Sequence, residues 1–228
     1  MYPDKADKNT GVGRLAKYRS LFLSDFHLGS PNCKAERLYK FLRENTAEKV
    51  YLVGDIIEGY HLGRWPPYHD LVIGELAEWG RAGVAIVYIP GNHDSIFRKH
   101  LGNYGALKVS RRATHHCLDG RKLLVTHGDE VDVIRLGHLL SAVIAVDRIF
   151  GVSLWNMLRR SLSGWHRRHV ARYESKMRAR GLDKHDGVIC GHIHEPHLTR
   201  SYMNCGDWTH HCTAIAEHID GRFELING

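Results

Sequence analysis

Five short polar motifs in this 228-residue chain each come directly after an apolar run of strand-forming residues. Together they carry seven side chains of types that bind metal ions: Asp25, His27, Asp55, Asn92, His127, His192 and His194. The clearest run, Val84–Ile89, breaks at Pro90-Gly91 just before Asn92. Open α/β sheets keep their sites at the carboxyl ends of strands. We therefore expect the seven side chains to meet at one sheet edge.

The donor set defines the chemistry. It contains oxygen and nitrogen donors but no sulfur, which suits Mn²⁺ first, with Fe or Zn²⁺ as alternatives. An isolated Asp-x-His or His-x-His pair lies on a surface more often than it binds a metal, so the inference rests on five motifs in the same context. Seven ligands exceed one ordinary site. Two metal ions about 3.5–4 Å apart, sharing a carboxylate, would use them all and clamp a phosphoryl group.

The elements that must position these residues alternate through the first half of the chain. Strand-forming residues at 18–24, 49–53 and 84–89 are separated by helical patterns at 34–45 and 70–81. Such alternation is typical of repeated βαβ units and a largely parallel sheet. Further along, Asp119-Gly120 predicts a hairpin, and short strands after Asp186 with a turn at Asp220-Gly221 predict a second, more antiparallel sheet.

The segment from Val131 to Gly181 has a different character. It has no strand-like alternation and no proline, and its apolar residues are spaced as on helices. We interpret it as a helical insertion within one domain that spans 18–228, preceded by a polar, loose N-terminal arm at 1–17. Between Arg135 and Arg180 this insertion holds ten cations against two acidic residues, Asp147 and Glu174.

Composition sets further expectations. The net charge of +7 favours a polyanionic partner. The five cysteines form no Cys-x-x-Cys pair, which indicates neither a disulfide framework nor a thiolate zinc site and favours a reducing cytoplasm. The best candidate for a membrane span, Leu139–Trp155, is interrupted by Asp147-Arg148. It falls short of the roughly 18 uninterrupted apolar residues that a span requires, so we do not expect an integral membrane protein.

The ordered motifs Asp-x-His, Gly-Asp, Gly-Asn-His-Asp, a later His and Gly-His-x-His, between about 25 and 210, resemble those of the calcineurin-like metallophosphoesterases. This resemblance implies an α/β fold of two mixed β-sheets in a sandwich flanked by helices, here with a helical cap insertion. It also implies how the ligands are divided between two metal ions. One ion would be held by Asp25, His27, Asp55 and His194, and the other by Asp55, Asn92, His127 and His192.

The same resemblance gives His93 the role of catalytic proton donor or of hydrogen-bond donor to the transition state. A purely structural role is the alternative. Asp94 and Glu58 would either orient His93 or cap helices. We expect Trp208 to fill the core rather than to stack on substrate. The pairs His115-His116 and His210-His211 are expected on exposed strands, outside the metal set.

Within the family, Gly54 to Glu58, His127-Gly128-Asp129 followed by a basic insertion, and Asn204 to Trp208 resemble the UDP-2,3-diacylglucosamine diphosphatases of lipid A synthesis. The resemblance implies a phosphorylated, lipid-linked nucleotide-sugar substrate and a location in the cytoplasm, peripheral on the cytoplasmic face of the inner membrane. The cap would meet an anionic membrane surface. Substrate contacts are expected from Asn92, His93, Leu139, Val143, Ile144, Arg159 and Arg160.

Two departures leave another substrate open. The best-known branch of those diphosphatases has arginine where this chain has His93, and the residues after Asp129 do not reproduce that branch's polar cap motif. One alternative is a phosphoesterase acting on a soluble phosphomonoester, nucleotide or phosphoprotein. A nucleic-acid-binding protein or nuclease is disfavoured by the lack of aromatic stacking runs. A metal-free scaffold is disfavoured because every ligand position is filled.

Overall fold

The computed structural model describes residues 17–58, 65–131 and 154–228. The predicted N-terminal arm, except for Lys17, lies outside these ranges, as do the cap residues Leu139, Val143 and Ile144. Arg159 and Arg160 lie on a described helix, but their side chains are outside what the structure describes. The described part of the chain therefore comprises the β-sheet core, with the helices that flank it, and the last helix of the predicted insertion.

The described residues form a β-rich core with three α-helices. The helices are α1 (Ala35–Glu44), α2 (Pro67–Arg81) and α3 (Leu154–Lys184). The strands are β1 (Tyr18–Leu23), β2 (Ala47–Leu52), β3 (Ala85–Tyr88), β4 (Gly102–Tyr104), β5 (Leu107–Val109), β6 (Ala113–His116), β7 (Lys122–Val125), β8 (Gly187–Cys190), β9 (His197–Leu198), β10 (Tyr202–Asn204), β11 (Thr213–Glu217) and β12 (Phe223–Asn227). The predicted strands and helices of the first half are confirmed to within a few residues at their ends.

The strands form two mixed sheets, as expected. The first has seven strands in the order β12-β11-β1-β2-β3-β5-β4, and the second has five in the order β6-β7-β8-β10-β9. Strands β1, β2, β3 and β5 run parallel, and so do β7, β8 and β10. The carboxyl ends of the ligand-bearing strands can therefore collect at a common edge.

The C-terminal hairpin does not join the second sheet, so that part of the prediction was wrong. Strand β11 pairs antiparallel with β1 and completes the first sheet. The physical reason is burial on both faces: Ala214 and Ala216 pack towards the helices, while Ile215 packs between the sheets. A strand buried on both faces needs a position within the layers, and the free side of β1 provides one.

Four layers enclose the core. Alternate residues of the first sheet face opposite sides, as the strand repeat requires. One side, with Leu21 and Val50, packs on α1 and α2. The other, with Phe22 and Val87, meets Leu123 and Ile189 of the second sheet. The outer face of that second sheet is covered by Tyr173 and Met177 of α3. The helices thus flank a sandwich of two sheets, as predicted.

Helix α1 shows why these segments fold as they do. Its buried residues, Ala35, Leu38, Phe41 and Leu42, recur at helical spacing and form one apolar face against the first sheet. Helix α3 continues through Gly181 to Lys184. A side chain at position 181 would clash with the backbone of Gly187, so glycine allows the close approach. Among the helices that the structure describes, none combines the length and the apolar character of a bilayer-crossing helix.

Buried His115 departs from the expected exposed strand. Its side chain is 3% exposed and lies between the sheets, where Nε2 meets Glu217 Oε2 at 2.9 Å and Nδ1 meets the Tyr51 hydroxyl at 3.2 Å. Glu217 also accepts hydrogen bonds from Arg19 and from the Leu118 amide. Of the pair His115-His116, only His116 is exposed on its strand, as predicted. His210 and His211 are exposed, but they lie in a turn and not in a strand.

Glu217 ties the two sheets together electrostatically. Its side chain is fully buried, whereas Arg19 is 28% exposed. Burial alone would raise the pKa of Glu217, but the hydrogen bonds from His115 and Arg19 outweigh it and hold that pKa below its ordinary value. The carboxylate is therefore ionised in the folded protein and contributes to stability at neutral pH.

We expect Glu217→Ala to lower the free energy of unfolding by about 3–5 kcal/mol, the usual cost of removing one partner from a buried ion pair. The matched control is Glu224→Ala, which removes a half-exposed carboxylate paired with His218 and Arg222. That change should cost about 0–1 kcal/mol. Urea denaturation at pH 7 measures both.

The Glu217 contribution should also depend on pH. Because folding lowers its pKa, the stabilisation is present above the unfolded carboxyl pKa of about 4.3 and is lost as the pH falls through the folded value. The difference between the wild-type protein and Glu217→Ala should therefore shrink below about pH 4. Equal costs for the two variants at pH 7 would show that the buried pair contributes no more than a surface pair.

Candidate metal centre

Five strand ends deliver the predicted ligand residues to one place. Strands β1, β2 and β3 of the first sheet lead to Asp25 and His27, to Asp55 and to Asn92. Strands β7 and β8 of the second sheet lead to His127 and to the pair His192 and His194. All seven side chains lie in one cluster, divided into two groups that His27 and Asp55 connect. The predicted convergence is thus present in the structure.

The first group contains Asp25, His27 and His194. His194 Nε2 lies 3.2 Å from Asp25 Oδ1 and 3.3 Å from His27 Nε2. Metal bonds of about 2.0–2.2 Å place neighbouring donor atoms about 3 Å apart, so this spacing is that of one coordination shell. The buried Asp25 Oδ1 accepts no hydrogen bond, although His194 is so near. A cation bound between the two side chains would satisfy that oxygen.

The second group contains Asp55, His127 and His192. His127 Nε2 lies 3.3 Å from Asp55 Oδ2 and 3.3 Å from Asn92 Oδ1. The rings of His127 and His192 meet edge to face, with centroids 5.1 Å apart. Asp55 also belongs to a cluster with His27 and His93, so its carboxylate reaches both halves of the site. This position is the one required of a bridging ligand.

Hydrogen-bond acceptors behind the rings fix which nitrogen faces the site. His127 Nδ1 lies 2.8 Å from the Val53 carbonyl, and His27 Nδ1 lies 3.1 Å from Glu58 Oε2. A carbonyl and an ionised carboxylate can only accept, so each Nδ1 carries the hydrogen. Nε2 of each ring then faces the cluster, an arrangement typical of metal-binding histidines.

Five of the predicted ligand residues have an unusual backbone conformation. Asp25, His27, Asp55, His192 and His194 all have positive φ, between 51° and 74°. Aspartate and histidine tolerate this left-handed region better than most residues, yet each such residue costs energy. Gly54 and Gly91 allow the close approach, because a Cβ atom at either position would clash with His127 or with Asp55. The Gly-Asp and Gly-Asn motifs thus combine a ligand with the space that it needs.

Buried Asp94 clamps two of the ligand loops together. Its carboxylate accepts hydrogen bonds from the Ile56 amide at 2.7 Å, the Gly91 amide at 2.5 Å and the Tyr88 hydroxyl at 2.5 Å. It therefore holds the loop of Asp55 against the loop of Asn92. Asp94 stands at the N-cap of the following short helix but makes no side-chain capping hydrogen bond there, so its carboxylate joins the two loops and does not cap that helix.

Glu58 takes the orienting role. It meets His93 Nδ1 at 2.8 Å through one oxygen and His27 Nδ1 at 3.1 Å through the other. Burial would raise the pKa of Glu58, but the hydrogen bonds from His27 and His93 outweigh it and lower that pKa to about 2. The carboxylate is therefore ionised and orients both rings. Sequence reasoning left this role undecided, because Glu58 follows the ligand motif without belonging to it.

Sequence reasoning missed the part played by Asp207. Its fully buried carboxylate accepts from the Thr209 amide and from His211 Nδ1, both at 2.7 Å, and lies 3.9 Å from His194 Nδ1. These hydrogen bonds keep its pKa below the ordinary value although burial opposes them. The segment Asn204 to Trp208 had entered only through the family resemblance. Trp208 is buried against Phe26 and Phe41, as expected of a core residue.

The electrostatics of the cluster favour cations. Burial would raise the pKa values of Asp25 and Asp55, but the charges of His194 and His127 outweigh it and lower both. In return, Asp55 outweighs the burial of His127 and raises the pKa of that ring to about 10. Two ionised, buried carboxylates thus create a strongly negative potential. Donor chemistry, spacing and potential all fit divalent metal ions.

Comparison with known proteins places the chain in a family. The model for calcineurin-like phosphoesterases matches residues 18–196, and the protein belongs to that family, as its motifs indicated. Among individual proteins, it is 31% identical over 114 residues to a UDP-2,3-diacylglucosamine hydrolase of Stenotrophomonas maltophilia. It is 29% identical over 124 residues to the protein of the same name in Aeromonas salmonicida.

These similarities are partial. The two matches cover 48% and 52% of this chain and 46% and 48% of the relatives, so the chain spans about half the length of the curated relatives it matches. Among solved structures, the phosphoesterase Yfce from E. coli is 14% identical, with a TM-score of 0.44 over 91% of this chain and 97% of that one.

We expect Asp55→Asn to reduce the bound divalent metal to at most one ion per chain and to abolish hydrolysis of bis(p-nitrophenyl) phosphate. The reason is that the neutral amide removes the charge that both halves of the site share. Metal content after dialysis against Mn²⁺ would be measured by mass spectrometry. Asp183→Asn, an exposed change on α3, should leave both quantities unchanged. Two retained ions and normal turnover in Asp55→Asn would remove the bridging assignment.

Proposed function

We propose that this protein is a two-metal phosphoesterase that hydrolyses the diphosphate of UDP-2,3-diacylglucosamine to UMP and a diacylated sugar phosphate. The observation that carries the phosphoesterase chemistry is the complete set of seven donors in two groups around Asp55. The substrate rests on the relatives with that name, which match about half of the chain. Mn²⁺ is the proposed metal, because the donors are nitrogen and oxygen without sulfur.

We assign one ion to Asp25, His27, Asp55 and His194, and the other to Asp55, Asn92, His127 and His192. Divalent ions held there would polarise the phosphoryl oxygens and offset the charge that develops on them. The chain itself contributes the geometry. The strand-end loops and the Asp94 clamp fix the donors before substrate arrives, so little reorganisation is needed during the reaction.

His93 is the proposed catalytic residue. Its side chain is 34% exposed, more open than the buried ligands Asp55 and His127. Ionised Glu58 accepts a hydrogen bond from Nδ1 of the ring. The backbone amide of His93 donates to Asp55 Oδ1 at 2.8 Å. The ring is thus held beside the metal cluster, with its Nε2 edge 4.0 Å from Asp55 Oδ2. From there it would donate a proton or a hydrogen bond to a phosphoryl oxygen.

We expect His93→Ala to retain two metal ions but to lose about 10²–10⁴-fold in kcat, the usual contribution of a general acid or oxyanion donor. The matched variant Glu58→Gln keeps the His93 ring but removes the charge that orients it. It should lose about 10–100-fold, as changes behind metal-binding histidines do. Rates measured at saturating substrate give kcat, and the metal content of the same samples is determined in parallel. Together they separate loss of catalysis from loss of metal. Loss of metal from His93→Ala would instead make His93 a ligand.

The basic face of α3 supports a substrate presented at an anionic surface. Tyr173 and Met177 of this helix pack inwards, whereas Arg167, Arg168, Arg172 and Lys176 are exposed. Clustered cations on one face attract anionic lipids, each contributing about 1 kcal/mol near the membrane. We therefore include an anionic membrane surface, at the cytoplasmic face of the inner membrane, among the proposed partners. Leu139, Val143 and Ile144 stay proposed acyl contacts, and Arg159 and Arg160 stay proposed substrate-binding cations.

The substrate is tested by UMP release from UDP-2,3-diacylglucosamine and from UDP-glucosamine without acyl chains. We expect the acylated substrate to have a kcat/KM at least about 10³-fold higher, because each buried methylene contributes about 0.8 kcal/mol. Hydrolysis of p-nitrophenyl phosphate should be slower still. Equal efficiency on the two UDP sugars would favour a soluble phosphoester, nucleotide or phosphoprotein substrate and would leave the metal assignment intact.

The same assay tests the membrane proposal. With substrate in anionic vesicles, the double variant Arg172→Ala, Lys176→Ala should turn over more slowly than the wild-type protein, and added salt should reduce the difference. With substrate in neutral detergent micelles, the two proteins should be equal. Equal rates in anionic vesicles would remove the membrane surface from the proposal.

A further inference from the structure

An apolar cavity lies on the helix side of the first sheet, between that sheet and α2. Its volume is about 850 Å³, within the roughly 300–1,000 Å³ typical of small-molecule sites. Helix α2 forms one wall, strands β2, β3 and β5 form the floor, and the segment around Phe97 and Tyr104 forms the other wall. None of the seven metal-ligand side chains lines it.

This cavity shares a wall with the metal centre. Ile56 and Ile57 line it, and they stand between bridging Asp55 and orienting Glu58. Tyr88 also lines it and donates through its hydroxyl to Asp94, the residue that clamps the ligand loops. A ligand bound at the Ile57 end would therefore lie beside Glu58, whose carboxylate holds the His93 ring.

Exposed apolar side chains cluster at the same place. Seven large hydrophobic residues are exposed in the described part of the chain, and Ile73, Ile96, Leu101 and Tyr104 line the cavity or flank residues that line it. Their exposed fractions are between 39% and 63%. Large exposed apolar groups in one patch mark an interaction site, whereas scattered ones need no explanation.

The lining selects the chemistry of the occupant. Aliphatic and aromatic side chains provide almost all of it, and the Tyr88 hydroxyl is already bonded to Asp94. A sugar or nucleotide placed there would lose water without gaining hydrogen bonds, a cost of several kcal/mol. The charged and titratable side chains of the lining, Arg81 and His100, are both exposed, with Lys99 beside them. Arg81 is ion-paired with Glu78, so an apolar interior with a polar, charged rim is complementary to an amphiphile.

We propose that this cavity binds one acyl chain of the substrate and so forms an acyl subsite within the core, separate from the cap. The inference deepens the proposed function and rests on it for the identity of the substrate. An acyl chain laid against Ile57 would hold the attached sugar phosphate near His93 and the two metal groups. Burial of the chain would then add to the affinity for the substrate, each buried methylene contributing to binding and not to the chemical step.

The test uses Ala77→Trp. Ala77 lines the cavity from α2 and is exposed, so an indole there can occupy the cavity without disturbing the buried core. Ala179→Trp is the matched control, an exposed alanine on α3. Binding of cis-parinaric acid, a fluorescent fatty acid, is measured by titration. The full-length protein should bind it, Ala179→Trp should bind equally, and Ala77→Trp should bind about tenfold or more weakly, the effect of excluding two methylenes from apolar surroundings.

Hydrolysis of bis(p-nitrophenyl) phosphate should be the same in all three proteins, which shows that the variants are folded and their metal centres intact. Ala77→Trp should raise KM for UDP-2,3-diacylglucosamine about tenfold, again by loss of two methylenes of contact, and leave kcat within a factor of about two. Equal fatty-acid binding by Ala77→Trp and Ala179→Trp would overturn the subsite. So would a dimer in light scattering that becomes monomeric with Ile73→Asp, because a second copy would then cover the patch.

Failure of the subsite and failure of the proposed function give different results. If UDP-2,3-diacylglucosamine is not hydrolysed but Ala77→Trp weakens fatty-acid binding, the cavity is an acyl site and the substrate assignment is wrong. If the substrate is hydrolysed and Ala77→Trp weakens fatty-acid binding without changing KM, the cavity does not hold the substrate's chain and the proposal is overturned.

Discussion

The rest of the structure depends on the buried carboxylate of Asp55. It lies 3.3 Å from His127 Nε2, accepts the His93 amide at 2.8 Å and belongs to clusters in both halves of the site. Keeping an ionised carboxylate at 2% exposure is costly unless positive partners compensate for lost water. The surrounding imidazoles supply those partners, and divalent ions would supply more. The same burial that makes ionisation of Asp55 costly would make its carboxylate a strong ligand for a bound cation.

The fold brings these partners together by joining two sheets at one edge. Parallel strands β1, β2 and β3 place their carboxyl ends beside those of β7 and β8, so ligands far apart in the sequence become neighbours. Hydrogen bonds between the loops hold the strained backbone at these residues. His27 donates its amide to the Asp55 carbonyl at 2.9 Å, and Asp94 accepts from the amide of Ile56. Energy from the apolar layers of the sandwich offsets that strain, which pre-organises the site.

Much of this arrangement was predictable. Apolar runs ending in polar motifs predicted the strand ends, and α1 and α2 followed from their helical patterns. The sequence could not show features set by tertiary partners. The sequence of β11 is that of an ordinary short strand and does not show which strand it pairs with. Its place beside β1 follows from burial on both faces. His115 looks like a surface histidine until Glu217 and Tyr51 are found beside it. Asp94, Glu58 and Asp207 act through distant residues, which no local pattern records.

In the proposed metal centre, the carboxylate of Asp55 joins two metal ions. Anomalous diffraction from crystals soaked in Mn²⁺, with data collected on both sides of the manganese absorption edge, tests it most directly. A bridging Asp55 predicts two peaks about 3.5–4 Å apart, one on each side of its carboxylate, with His194 beside one and His127 beside the other. A single peak, or two peaks with Asp55 touching only one, would contradict it.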